Sequence, residues 1–175
     1  MLIIIMKDKP HGFTLVELLV TIVVVTILVA LSVPAFYNFV QNNRITAQVN
    51  ELVTALTLVR SEAIKRRQPV SICSSLNAST CAGTWDQGWI IFTDANSNGV
   101  VDVGIDAVLR VREGLAGGAT LSETASVTAI QFDRLGSASI PANFQLRIPG
   151  CKGDQGRDIA LLVTGQADVR RVNCS

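Results

Sequence analysis

The spacing of apolar residues changes along this chain, and its first long stretch is typical of a membrane helix. From Phe13 to Leu31 the only ionisable side chain is Glu17. An apolar run of about 20 residues is long enough to cross the hydrocarbon core of a bilayer as a helix. The pattern predicts a membrane-spanning helix over residues 13–34, and Pro34 predicts a kink because proline removes a backbone hydrogen bond.

A second helical pattern follows directly. Apolar residues recur at intervals of four and three, which places them on one face of a helix: Ile45, Val49, Leu52, Leu56, Val59 and Ala63. The opposite face is polar and carries Asn43, Gln48, Asn50, Thr54, Thr57 and Ser61. We therefore predict an amphipathic helix over residues 35–67, continuous with the first, whose apolar face packs on a sheet.

Three successive cations, Lys65, Arg66 and Arg67, end this predicted helix, and Pro69 follows them. The helix dipole favours cations at its C-terminus, and a proline just beyond the last turn stops a helix. The alternative for the three cations is a nucleic-acid patch, and helix termination is favoured over it.

Short β-rich runs separated by Gly, Asn and Asp fill the rest of the chain, and no helix-length periodicity appears among them. The runs are PVSICSS, GWIIFTD, AVLRVRE, ATLSE, TAIQFDRLG, FQLRIP and RDIALLVTG. The predicted fold class is α+β, in which one long helix packs against an antiparallel β-sheet domain over residues 68–175.

Charge and cysteine content limit the binding partners and the cellular compartment that we expect for this chain. The chain has 15 Lys and Arg against 14 Asp and Glu, so no bulk attraction to nucleic acid or acidic lipid is expected. All four cysteines follow the apolar stretch, and neither a C-x-x-C nor a nearby histidine indicates zinc. An oxidising compartment and two disulfides are favoured over reduced thiols. Of the three pairings, we favour Cys73–Cys81, which closes a short loop, and Cys151–Cys174, which ties down the C-terminus.

Charges before the apolar stretch predict its orientation. Lys7 and Lys9 place the N-terminal side in the cytoplasm and the rest of the chain outside. The apolar core is longer than the 7–15 residues, roughly, of a cleaved secretory signal. The apolar LIII before Met6 fits a cytoplasmic leader poorly, which favours Met6 over Met1 as the initiator.

A carboxylate inside a membrane helix costs about 2.5–3.5 kcal/mol on insertion scales, so Glu17 marks a functional position. The string GFTLVELLV around it resembles the type III signal of type IV pilins and type II secretion pseudopilins. The resemblance implies a leader over residues 1–12, cleavage by prepilin peptidase between Gly12 and Phe13, and N-methylation of Phe13. Glu17 then falls at the fifth mature position, and Pro34 at the helix-breaking proline of pilin helices.

Cleavage would create a charged amine at Phe13, a second charge that a membrane or filament core disfavours. The Glu17 carboxylate of one subunit can neutralise the Phe13 amine of its neighbour when the helices stack, so both charges find partners only in the assembly. We therefore expect Glu17 to set assembly and register. The alternative is that Glu17 merely reaches the lipid headgroups.

The segments VRSEAIKRRQPVSIC and GWIIFTDANSNGVVDVG resemble the minor-pilin family that includes secretion pseudopilin H (GspH) and the pilus proteins FimT and FimU. The resemblance implies a type IV pilin-like fold, no cofactor and no enzymatic activity. It implies an inner-membrane, single-pass subunit with a periplasmic C-terminal domain, later built into a filament. The implied partners are prepilin peptidase, other major and minor pilins or pseudopilins, the inner-membrane assembly platform, and membrane lipid before assembly.

Type IV pilus biogenesis, through a priming or tip complex, is the favoured function. Pseudopilin H of the type II secretion system is one alternative, and an anchored domain that never polymerises is another. Enzymatic activity is not expected. The only histidine, His11, lies in the predicted leader, so the mature chain would have no imidazole for acid–base or nucleophilic catalysis. Gly117 and Gly118 form a turn signal, not a phosphate loop.

The segment DANSNGVVD resembles the start of a calcium loop. Asp94, Asn96 and Asn98 stand in D-x-N-x-N-G register, but Ile105 replaces the acid of the twelfth position. Asp102 and Asp106 could substitute for that acid only with a different geometry. A β-hairpin loop is favoured, since Asn-Gly is a strong turn signal.

DNA binding is the remaining alternative, because some FimT-like proteins capture DNA through a C-terminal G-R-x-R motif. The matching segment here, TGQADVRR, keeps Gly165 but has Gln166 and Asp168 in place of the two arginines. A carboxylate at that position repels phosphate, so DNA binding is disfavoured. The cations that could compensate are Arg170 and Arg171, together with Arg110 and Arg112 on one face of a predicted strand.

Overall fold

The computed structural model describes residues 12–174 of the chain. One helix, α1, comes first and eight strands follow it. Their bounds are α1 Leu15–Arg66, β1 Val70–Ser74, β2 Gly88–Thr93, β3 Val108–Glu113, β4 Thr120–Glu123, β5 Ala129–Phe132, β6 Ala142–Arg147, β7 Gly156–Leu161 and β8 Ala167–Val172. Three single turns of 3-10 helix, Trp85–Gln87, Ala116–Gly118 and Gly153–Gln155, lie between strands.

The ends of α1 follow from local sequence. The Thr14 hydroxyl oxygen accepts the Glu17 backbone N–H at 3.2 Å, which satisfies one of the free donors of the first turn. At the other end, Arg67 adopts a left-handed backbone (φ 56°), just before Pro69. Helical backbone continues through Pro34, and the kink expected there stays a prediction.

The chain divides into two compact units, residues 12–40 and 41–174 within the described part. In the first unit, the side chains of residues 12–33 and 36–40 are exposed, and most of them are aliphatic. By length and composition α1 is able to cross a membrane, as its apolar beginning predicted.

The second unit holds two four-stranded antiparallel sheets. Their strand orders are β3-β2-β1-β5 and β4-β6-β7-β8. In the first sheet Val70 pairs with both Thr93 and Phe132, and in the second Leu161 pairs with both Ala142 and Ala167. Seven strands coincide with the predicted β-rich runs. The pattern predicted neither β8 nor the division into two sheets.

The core of the second unit lies between the sheets and the predicted apolar face of α1. That face is buried as expected, with Ile45, Val49, Leu52, Leu56, Val59 and Ala63 each less than a tenth exposed. Gln48 was placed wrongly on the polar face. Its side chain is buried, and its Nε2 donates to the Ala116 carbonyl at 2.8 Å, so it fastens α1 to the 3-10 turn at residues 116–118.

Trp85 connects the two sheets. It lies in the turn that precedes β2 and contacts Phe144 of β6 edge to face, with ring centroids 5.0 Å apart. Its indole Nε1 donates to the Val127 carbonyl at 2.8 Å, so the polar atom of this buried ring is satisfied.

The structure contains both disulfides favoured from the sequence. Cys73, fully buried in β1, is joined to Cys81 with a Cα–Cα distance of 5.5 Å. Cys151 is joined to Cys174 with a Cα–Cα distance of 5.8 Å, which fixes the end of the chain beside the β6–β7 connection.

Candidate functional site

The candidate assembly site is the beginning of α1. Gly12 and Phe13 precede the helix, and the Phe13 side chain is 83% exposed. Glu17 lies in the first helical turn, where the dipole favours a negative charge. The predicted leader up to His11, with Lys7, Lys9 and the two candidate initiators Met1 and Met6, lies outside the described residues.

Glu17 has no compensating cation within its own described chain. Among residues 12–174, the ion pairs all lie at residue 51 or beyond, and none involves Glu17. Its neighbours on α1 from Leu15 to Val33 are apolar or small hydroxyl residues. The hydroxyl groups of Thr21, Thr26 and Ser32 each donate a hydrogen bond to a carbonyl of the same helix. The carboxylate is therefore the one charged group on an otherwise apolar helix surface between residues 12 and 40.

In the segment that resembles a calcium loop, the carboxylate oxygens of Asp94 accept hydrogen bonds from the protein itself. Asp94 is fully buried, and its carboxylate accepts the Ser71 hydroxyl at 2.6 Å, the Gln131 amide at 3.1 Å and the backbone N–H groups of Asn98 and Gly99 at 3.0 Å. All four of these hydrogen bonds are donated by groups of the protein. Asp94 therefore holds the base of a loop between β2 and β3.

Two further carboxylates of this loop also accept internal hydrogen bonds, although Asp106 Oδ1 is buried without a partner in the described part of the chain. Asp102 Oδ2 accepts the side-chain amides of Asn96 (2.7 Å) and Asn98 (2.8 Å), and Asp106 accepts the Asp102 backbone N–H at 2.9 Å. No group of three His, Cys, Asp or Glu side chains that could hold a metal ion occurs among residues 12–174. Strands β2 and β3 pair antiparallel on either side of this loop, and of the Asn98-Gly99 pair only Gly99 has a positive φ (71°).

The two arginines of β3 face α1. With Trp89, Ile91 and Leu58 they line a groove of about 450 Å³ between the helix and this edge strand. Arg112 donates to Glu51 Oε2 from Nη2 at 2.6 Å and from Nε at 3.0 Å. Its guanidinium also lies 5.9 Å from the centroid of the Trp89 ring. The Arg112 guanidinium therefore already has partners within the domain. Arg110 lines the same groove without a hydrogen-bond or ion-pair partner among residues 12–174.

The two arginines of β8 lie on the edge strand of the second sheet and are exposed. Arg170 Nε donates to Asp168 Oδ2 at 2.9 Å, and Arg171 lies 4.0 Å from Asp154. Gln166 lies in the preceding turn, where its carbonyl accepts the Leu162 N–H at 2.8 Å. The segment that matches the DNA-capture motif thus has carboxylates beside both of its arginines, which weakens its attraction for phosphate.

Arg157 is a buried cation that the sequence pattern did not single out. Its Nη1 donates to the carbonyls of Asp154, Gln155 and Gly156 at 2.8–3.0 Å, and only 4% of the residue is exposed. Burial lowers the pKa of Arg157, and Arg171 lowers it further, while Asp154 opposes both effects. The guanidinium therefore stabilises the 3-10 turn Gly153–Gln155, which follows Cys151 in the β6–β7 connection.

The fold and the beginning of α1 together define a class of protein. An apolar helix that opens on a G-F-T-L-x-E string, and that packs farther on against antiparallel sheets, is the arrangement of pilins and pseudopilins. Residues 48–166 match the family of type II transport protein GspH, which is well over half of the chain. Residues 7–33 match the prokaryotic N-terminal methylation motif. The chain belongs to the GspH family, and it carries the N-terminal signal of prepilins.

Two relatives are similar to part of the chain. The chain is 33% identical over 62 residues to fimbrial protein Q of Moraxella bovis, which covers 35% of this chain and 40% of that one. It is 36% identical over 58 residues to prepilin peptidase-dependent protein D of Escherichia coli K12, which covers 33% of this chain and 40% of that one. The chain thus matches about two fifths of the length of these relatives.

A solved structure shares the fold. The type IV minor pilin FimU of Pseudomonas aeruginosa PAO1 superposes with a TM-score of 0.59 at 23% identity, over 78% of this chain and 99% of that one. The pilin-like α+β fold expected from the sequence is confirmed. Family members are structural subunits.

Proposed function

We propose that this chain is a minor pilin that is cut between Gly12 and Phe13, methylated on Phe13, and built through α1 into a type IV pilus. Before assembly, residues 13–34 hold it in the inner membrane, with the N-terminal side cytoplasmic and residues 68–175 periplasmic. Residues 35–67 connect the two parts. Its partners are prepilin peptidase, the assembly platform and other pilins.

One observation carries the proposal. Glu17 is the only charge on an exposed apolar helix surface, and no cation among residues 12–174 compensates it. A charge in hydrocarbon without a partner is costly. A new amine at Phe13 of an adjacent subunit supplies a partner of opposite sign, and that amine exists only after cleavage at the motif.

The first test is the mass of the N-terminal peptide of the protein purified from cells. Processing predicts a peptide that begins at Phe13 and carries one methyl group. A chain that starts ahead of Phe13 would instead favour an anchored domain that never polymerises. Measurement in a strain without prepilin peptidase provides the uncleaved reference.

The second test separates assembly from processing. Glu17→Gln keeps the size of the side chain and removes its charge, so the variant should insert and be cleaved but lose most of its incorporation into sheared filaments. Thr21→Val, one turn farther along the same helix, is the matched control and should assemble normally. Normal incorporation of Glu17→Gln would exclude the charge-pairing role.

A role as pseudopilin H in type II secretion is the second candidate. The match of residues 48–166 to a type II transport protein family favours it, whereas the likeness to the minor pilin FimU fits a pilus. A deletion strain distinguishes the two roles. Loss of pili would indicate the type IV pilus, and loss of export of secreted proteins would indicate the type II secretion system.

A further inference from the structure

Two glycine turns meet at the C-terminal end of α1. Residues 133–137 follow β5, residues 162–166 join β7 to β8, and the Ala138 N–H donates to the Val163 carbonyl at 2.8 Å. Gly136 and Gly165 have positive φ values of 84° and 77°. A Cβ at Gly165 would collide with the Gly136 carbonyl oxygen, so the close approach of the turns depends on glycine at this position.

Four large aliphatic side chains surround this contact and remain exposed. Ile64 of α1 lies against Gly136, since a Cβ there would meet Ile64 Cδ1 at 2.8 Å. Leu135 precedes that glycine, and Leu162 and Val163 belong to the other turn. Their exposed fractions are 46% for Ile64, 76% for Leu135, 49% for Leu162 and 52% for Val163. We call these four residues the distal patch.

Cations form the rim of the distal patch. Arg60 contacts both glycines, Lys65, Arg66 and Arg67 end the helix beside Ile64, and Arg134 is next to Leu135. The acids in the same elements are Glu62 and Asp133, and Asp168 of β8 lines a pocket with Arg60 and Leu162 but is paired with Arg170. Glu62 is paired with Lys65 and Arg66, while Asp133 Oδ1 accepts the backbone N–H groups of Leu135 and Ser137. The rim therefore has a net positive charge.

The position of the patch makes it accessible to a neighbour. The chain enters the second unit at residue 41, and Ile64 lies 23 residues farther along α1, about 35 Å at 1.5 Å per residue. The patch is thus at the opposite end of this helical segment from the entry point. Exposed aliphatic side chains carried by adjoining segments, as here, favour a protein interaction site.

We propose that the distal patch docks another pilin-family subunit through an apolar surface with an acidic rim. The occupant follows from the charge of the patch, since a cationic rim attracts an acidic partner and repels a second copy of itself. An aliphatic centre favours a protein over DNA, because duplex DNA is held mainly by polar and cationic contacts to its phosphates and single strands by stacking on aromatic rings. The proposal rests on the function proposed above and names the surface it uses.

The test uses the full-length chain in cells and changes the patch without changing the core. Leu135→Asp with Val163→Asp should lower recovery in sheared filaments by about tenfold or more, since central contacts dominate an interface. Leu76→Asp is the matched control, because Leu76 is 66% exposed but follows the opposite end of β1. Intact disulfides on a non-reducing gel verify that each variant is folded.

Charge is tested separately with pairwise co-expression. Arg134→Glu should lose co-purification with one of the other full-length pilin-family subunits of the same cell, and Lys152→Glu, in the β6–β7 connection, should keep it. Suppressors of Arg134→Glu should then map to acidic residues of that subunit changed to lysine. Salt should weaken the wild-type complex.

The outcomes separate the patch from the proposed function. If wild type is cleaved and assembled but both patch variants assemble and co-purify normally, the distal patch has no docking role and the function stands. If wild type never enters filaments, the function itself is wrong. If instead Arg134→Glu abolishes a gel shift with duplex DNA while Leu135→Asp/Val163→Asp leaves subunit binding intact, the surface binds DNA and the proposal is overturned.

Discussion

Glu51 and Arg112 join the helix to the edge of the first sheet. The carboxylate of Glu51 on α1 accepts two hydrogen bonds from the Arg112 guanidinium, at 2.6 and 3.0 Å, and that guanidinium lies over the ring of Trp89. Strand β3 pairs on one side with β2 and has no strand on its other side within the described residues. The pair therefore fastens an edge strand that would otherwise be held on one side only.

Removal of this pair should weaken the domain modestly. Arg112→Ala should lower the free energy of unfolding by about 1 kcal/mol, because the ion pair is partly exposed and the contact with Trp89 adds a similar small amount. Urea unfolding of the full chain in detergent, followed by tryptophan fluorescence, measures the change. Arg110→Ala on the same strand should have little effect, and equal losses in the two variants would contradict the assignment.

Asp94 should be far more important for stability than any surface charge. Asp94→Ala removes an acceptor from the Ser71 hydroxyl, the Gln131 amide and two backbone N–H groups, all close to the buried base of the β2–β3 loop. Unsatisfied buried donors are costly, so we expect a loss of about 3 kcal/mol. Thermal melting measures it, with Asp102→Ala as a control in the same loop, because the half-buried Asp102 carboxylate accepts only two side-chain amides.

Calcium should not affect the same loop. Because the Asp94 oxygens are committed to protein donors, melting temperatures with millimolar calcium and with a chelator should coincide. A rise of several degrees with calcium would revive the calcium-loop interpretation of Asp94, Asn96, Asn98 and Asp102.

The Cys151–Cys174 disulfide should stabilise the end of the chain. It closes a loop with a sequence separation of 23 residues, and the chain-entropy estimate for such a loop is about 3 kcal/mol. The Cys151→Ser/Cys174→Ser variant should lose roughly that amount in equilibrium unfolding. Unchanged unfolding in the variant and in reductant-treated wild type would show that the cross-link contributes nothing.

Glu62 should make a small, pH-dependent contribution. The hydrogen bond from Arg66 lowers the pKa of Glu62 from its ordinary value of 4.5, so the folded state binds this proton less readily than the unfolded chain. The contribution is therefore fully present above pH 4.5 and is lost as the pH falls through the lowered pKa. Glu62→Gln should cost about 0.5 kcal/mol at pH 7 and almost nothing once wild-type Glu62 is protonated. A constant difference at all pH values would exclude the ion pair as the cause.

Periodicity was sufficient to predict the helix, its buried face and seven of the strands, because each depends on spacing alone. Strand β8 was missed since its residues include Asp168, Arg170 and Arg171 and lack the alternation of a half-buried strand. It forms because β7 offers a hydrogen-bonding edge, which is a non-local condition. Gln48 was misplaced for a similar reason, because its partner Ala116 lies 68 residues away.

The candidate assembly site was visible in the sequence. A lone acid in an apolar run, preceded by G-F-T-L, is a local pattern, and Gly12, Phe13 and Glu17 could be identified without coordinates. The roles of Arg110 and Arg112 could not, since alternation on a strand shows that they share a face but not that this face meets Glu51. Nor could the distal patch, whose members come from three separate segments.

The sequence by itself determined α1, seven of the strands and an apolar stretch long enough to cross a membrane, because helix and strand periods and the length of an apolar run are set by neighbours along the chain. Tertiary structure decided which charged groups have hydrogen-bond or ion-pair partners inside the protein and which apolar side chains stay exposed. Asp94 is closed off by Ser71 and Gln131, whereas Leu135 and Val163 are brought together by two turns that only glycine allows to meet. Contacts between distant segments fix those outcomes, and a linear pattern contains no information on such distances.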